Sequence, residues 1–148
     1  MPSFSATERR APAVPWTLAA RALGALATLA VGAIHLQQYH KLYSGVPTIG
    51  TLFVLNFIGA TAIGLALLAP VERIADVLVP LAAMAGIALS ATSFVFLWIS
   101  ERTPLFGFQE PGFDPTAIAA TRAFEVAGVA LLGVFLITRH RQTRRNSS

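Results

Sequence analysis

The chain has 148 residues, 55% of them hydrophobic and 12% charged, with a formal net charge of +4 and no cysteine. A mean hydropathy of +0.65 is too apolar for a soluble domain of ordinary composition, so the sequence reads as an integral membrane protein. The missing cysteines exclude disulfides, thiolate nucleophiles, iron–sulfur clusters and cysteine-type zinc sites.

Residues 1–15 are rich in Pro, Ser, Ala and Arg and read as a disordered or interfacial tail. Arg9 and Arg10 before an apolar run invite a signal-peptide reading, with Val31-Gly32-Ala33 as a weak cleavage site. The run is long for such a peptide, and an uncleaved first helix is the reading adopted. Apolar segments at about 17–39, 48–70, 76–99 and 115–138 each approach the roughly 20 residues that a bilayer-spanning helix needs. Pro47 and Thr48 open the second, Pro80 falls in the first turn of the third, and Asp114-Pro115 makes an N-cap and first-turn pair for the fourth.

Residues 139–148 form a basic tail. Its arginines, with Arg9 and Arg10, put both termini and the short VERIA turn in the cytoplasm, leaving YHKLYSGVP and SERTPLFGFQEPGFD outside. A nucleic-acid partner is not expected, because that role needs a basic face interleaved with aromatics on a folded domain. The fold class is therefore all-α, a four-helix transmembrane bundle in the cell membrane with cytoplasmic termini.

Small residues recur every four positions at Ala20, Gly24, Thr28 and Gly32, at Ala82, Gly86 and Ser90, and at Ala119, Ala123 and Ala127. Such stripes let helices approach closely in lipid, within one chain or between copies, so a homo-oligomer or a larger membrane complex stays open beside the bundle.

Counting about 1.5 Å per residue across a core of about 30 Å places His35 and Glu125 about 9 Å below the outer surface of the core. Asn56, Ser90 and Ser93 fall within about a turn of that level, so each helix contributes to one polar layer. A carboxylate at this depth costs several kcal/mol unless paired, protonated or wet. Arg122, one turn outward, is the local partner for Glu125, and His35 the partner across the bundle. The site reading is a ligand-binding or proton-handling pocket of His35, Asn56, Ser93, Arg122 and Glu125; the plain alternative is a structural ion pair. Asn56 alone is glue between helices, Ser90 and Ser93 are packing residues bonded to their own helix, and Gln37, Gln38, Tyr39 and Tyr43 suit the outer interface.

The loop LFGFQEPGFDP carries Phe106, Phe108 and Phe113, which serve as a lid over the layer or as an interfacial anchor. No histidine pair has i, i+4 spacing, so no metal site is expected, and haem at His35 is the only cofactor reading, none being favoured. Catalysis has no motif behind it: no triad, metal-ligand spacing or phosphate loop is present.

The segments GAIHL, VPTIGTLFVLN and LFGFQE, with a glutamate in the last helix, resemble a family of small four-helix integral membrane proteins of actinobacteria, uncharacterised in activity, in which GxIHL, PTIGxLFxLN and LFGFxE recur. The resemblance implies the fold and source without a mechanism, and Val46 and Gln37-Gln38 depart from its pattern. The functional expectation is a binding or accessory membrane module with an outward-facing polar pocket. The alternatives are a transporter-like oligomer for protons or small solutes and a haem- or quinone-associated redox protein.

Overall fold

The structure, a computed structural model, describes residues 15–70 and 77–146. The N-terminal tail before Pro15 and the expected turn at 71–75 lie outside the described residues. Four helices, α1 (Pro15–Gln38), α2 (Ile49–Leu68), α3 (Leu78–Ser100) and α4 (Pro115–Asn146), are each long and apolar enough to cross a membrane. The architecture is all-α, and α1 packs mainly on α2 and α4, with α3 bridging those two. One end of the bundle, here the loop end, carries the connections 39–48 and 101–114; the other is the arginine end.

The arginine half is closed by small-for-large exchange. Leu132 of α4 is fully buried and occupies notches at Gly24 of α1 and Gly86 of α3, where an added Cβ would stand 2.6 and 2.7 Å from its methyls. Gly64 of α2 does the same for Leu29 of α1, at 2.5 Å, and Gly32 faces the Cβ of Ala60 at 2.8 Å. Such exchanges let the helix backbones approach closely and pack by van der Waals contact. Ala20, Ala25, Leu67, Val79, Ala83 and Phe135 complete this cluster.

Two of the three predicted stripes face inward, but that of α4 does not. Ala119 and Ala123 are exposed, and the packed face is Thr121, Glu125, Gly128, Leu132 and Phe135. The reason is angular: at about 100° per residue, Ala123 lies about 200° from Glu125, so one helix cannot bury both. The structure resolves the conflict by burying the carboxyl and exposing the alanines.

Helix ends follow local chemistry. Asp114 caps α4 through a 3.0 Å bond from the Ala117 N–H, and Pro80 sits in the first turn of α3, both as expected. Arg21 was not anticipated: buried in α1, it donates from Nε to the Leu67 carbonyl (2.5 Å) and from a terminal nitrogen to that of Ala69 (2.8 Å), capping the negative end of α2. The basic stretch expected as a tail instead prolongs α4 to Asn146, with Gln142 donating to Thr17 of α1 at 3.2 Å. Arginines are good helix formers and complement a helix C-terminus.

Candidate functional site

At the loop end α1 does not stop at Tyr39. It continues as a π-helical turn, Tyr39–Tyr43, which swings the Tyr43 ring inward, where it is buried against Phe53 and Phe108 with centroids 4.6 and 5.7 Å away. Pro47 and Thr48 do not open α2 in the expected way. Thr48 has φ 63° and ψ −55°, a classic γ-turn closed by a 2.7 Å bond from the Ile49 N–H to the Pro47 carbonyl. A β-branched residue at positive φ is strained, and such strain persists only where its surroundings hold it. Gly50 helps to hold it, since a Cβ there would stand 2.6 Å from the Tyr43 carbonyl.

The 101–114 loop is tied down at several points. Leu105 and Phe108 pair across a tight turn with positive φ at both Phe106 (50°) and Gly107 (79°), the geometry of a two-residue hairpin. The Glu110 N–H reaches the Ser100 carbonyl at 2.8 Å. Its carboxylate accepts from the Tyr43 hydroxyl and from the N–H groups of Gly112 (2.9 Å) and Phe113 (3.1 Å). Gln38 donates to Asp114 at 2.9 Å. Gln38 and Tyr43 are thus not interfacial side chains as expected; both are buried, Tyr43 as donor to the buried Glu110 and Gln38 as donor to the half-buried Asp114. The Ala117 N–H, then the Gln38 amide, then the Lys41 charge hold the Asp114 carboxyl below its ordinary value of 3.8.

Beneath this loop lies a cavity of about 250 Å³ enclosed by α1, α2, α3 and the first turns of α4. His35, Asn56 and Ser93 line it, so three of the five expected residues meet there, together with the unanticipated Thr121 and Ser100. In the neutral His35 ring, Nδ1 donates to the Val31 carbonyl (2.9 Å) and Nε2 accepts from Ser93 Oγ (3.2 Å). Ser93 therefore bonds across the bundle and not to its own helix. Haem ligation would require Nε2 to give up Ser93. Among the described residues no group of three His, Asp or Glu side chains is placed to hold a metal.

Arg122 and Glu125 do not line the cavity. Arg122 donates to Glu101 at the end of α3, not to Glu125. Glu125 is 1% exposed and sits deeper in the packed face of α4, where among the described residues neither carboxyl oxygen has a hydrogen-bond partner. The expected Arg122–Glu125 pair fails because an arginine near the loop end finds a better-solvated carboxylate within reach. Asn56, 8% exposed, likewise has an unpartnered Oδ1. Of the aromatic lid, Phe108 lines the cavity, whereas Phe106 and Phe113 are 57% and 61% exposed.

Compared with family models, curated proteins and solved structures, the chain matches none. Fold and site define a class only: a four-helix all-α bundle whose helices suit a membrane and whose loop end holds a roofed, mostly apolar cavity.

Proposed function

We propose that this chain is a multi-pass protein of the cell membrane, with both termini in the cytoplasm, and that it works as a binding module. The membrane reading is supported by inverted polarity: Leu55, Ile58, Leu65, Met84 and Val126 are exposed, while Thr28, His35, Asn56, Ser90 and Glu125 are buried. The orientation is supported by the arginines clustered at the end of α4, opposite the 101–114 loop with its Glu101, Glu110 and Asp114.

The observation that carries the binding role is the cavity beneath the 105–110 turn, apolar over most of its wall with a few convergent polar groups, the usual constitution of a small-molecule site. Leu55 and Thr92 line it and are also exposed, so the cavity meets the outer surface beside α2 and α3. Its occupant is a membrane-soluble small molecule that arrives sideways from the lipid. Onward passage is opposed by the buried Leu67, Leu132 and Phe135 below, which favours binding over a through-going transport path.

The test is titration of the detergent-purified protein with N-phenyl-1-naphthylamine, a neutral lipophilic fluorophore. Saturable binding of one dye per chain is expected, lost in Ala117→Phe, which fills the cavity from its wall. Non-saturable uptake, unchanged by that substitution, would remove the cavity as a site.

A further inference from the structure

The charge and ring content of the cavity narrow its occupant further, on the footing that the cavity is a binding site. The charged residues in its wall are Glu110 and Asp114, and among the described residues no lysine or arginine lines it. The nearby basic groups are engaged outside it: Arg122 with Glu101, and Lys41 exposed beside Asp114. The oxygens of Glu110 are satisfied by neutral donors, the Tyr43 hydroxyl and two backbone N–H groups, and among the described residues its charge has no ionic partner. Asp114 is bonded by an amide and a backbone N–H.

Tyr43, Phe53, Phe96 and Phe108 also line the cavity. Aromatic faces beside a buried carboxylate such as that of Glu110 attract cations and repel anions.

We infer that the cavity selects lipophilic organic cations: ammonium-bearing amphiphiles whose charged head lies under Glu110 and Asp114 among the rings of Tyr43, Phe53 and Phe108, and whose apolar body runs down between α2 and α3 toward Asn56. Phosphates, carboxylates and anionic lipid headgroups are excluded by the same field. The roof is built for this role: the π-helical turn, the strained Thr48 and the Phe106-Gly107 turn all serve to bring Tyr43, Glu110 and Phe108 together over the cavity.

The experiment displaces bound N-phenyl-1-naphthylamine from the full chain in neutral detergent with three matched probes: 4-phenylbutylammonium, 4-phenyl-1-butanol and 4-phenylbutyrate. The ammonium is expected to displace the dye at least tenfold more tightly than the carboxylate, with the alcohol between. In the Asp114→Asn/Glu110→Gln double variant that preference falls to within about threefold. Asp114→Asn alone keeps the helix cap, since Asn caps as well as Asp, and covers the case in which the double variant does not fold; there the preference falls by about half on a logarithmic scale. Equal or tighter displacement by the carboxylate overturns the assignment while leaving the dye site standing. Failure of every probe, with the dye still bound, overturns it as well. If the dye itself does not bind, the cavity reading falls and this assignment falls with it.

Discussion

The two halves of the bundle solve different problems with the same four helices. In the arginine half, glycines at 24, 64 and 86 receive leucines, and little space remains. In the loop half, His35, Asn56 and Ser93 stand around open volume, and the helices are joined less by packing than by side-chain bonds through the loops. Packing that depends on sub-ångström fit tolerates no added atoms, whereas a roofed cavity tolerates exchange in its wall but not loss of its ties. The arginine half is thus the clamp, and the loop half is the part free to hold something else.

Substitutions separate the halves, and the largest effect is expected in the clamp. Gly24→Val drives a branched side chain into Leu132 and should cost about 3 kcal/mol. Gly133→Ala, with nothing within 4 Å of the new Cβ, should be neutral. Reversible unfolding in mixed micelles would measure both, and equal losses would dissolve the distinction. Arg21→Met removes two charge-assisted bonds to the end of α2 and should cost about 2 kcal/mol by the same measurement.

In the loop half, Tyr43→Phe should leave global stability within about 1 kcal/mol, since it removes one hydrogen bond. It should nevertheless raise amide hydrogen exchange of residues 105–113 about tenfold, because Glu110 loses its tie to α1. Unchanged exchange would show that the roof does not depend on this bond. Glu125→Gln should keep the bundle assembled with a shift below about 1 kcal/mol, as no partner is abandoned; collapse of the fold would point to an ion pair that the structure lacks.

The smallest effect concerns pH. Asp114 has a folded-state value below its ordinary one, so its contribution is present above pH 3.8 and lost as pH falls through the folded value. Exchange at residues 114–117 should therefore rise only below that pH, and the rise should vanish in Asp114→Asn.

Much of the helical frame was legible because its signals are local. Apolar runs of bilayer length, Gly24 and Gly86 at four-residue spacing, Pro80 and the Asp114-Pro115 pair each act within a turn or two of themselves. Counting depth along the helices also brought His35, Asn56 and Ser93 to one level, and they do share a cavity wall. Rotation was the weak point: depth does not specify azimuth, so Arg122 and Glu125 were placed in a pocket from which packing turns them away. The α4 stripe failed for the same reason, although its conflict with Glu125 on one helical wheel was available from the sequence. The roof was not legible. A π turn, a γ-turn at Thr48 and a Tyr43–Glu110 bond spanning 67 residues depend on the loop's final position, and no spacing rule encodes them.

The most direct test of open volume against tight packing uses the absence of cysteine from the chain. Ser93→Cys and Ser90→Cys, three residues apart on α3, would each be reacted with methyl methanethiosulfonate in purified, folded protein, and modification followed by intact mass. Ser93 lines the cavity and Ser90 is packed with 1% exposure, so at least tenfold faster modification at 93 is expected. Equal rates, or faster reaction at 90, would contradict a cavity confined to the loop half.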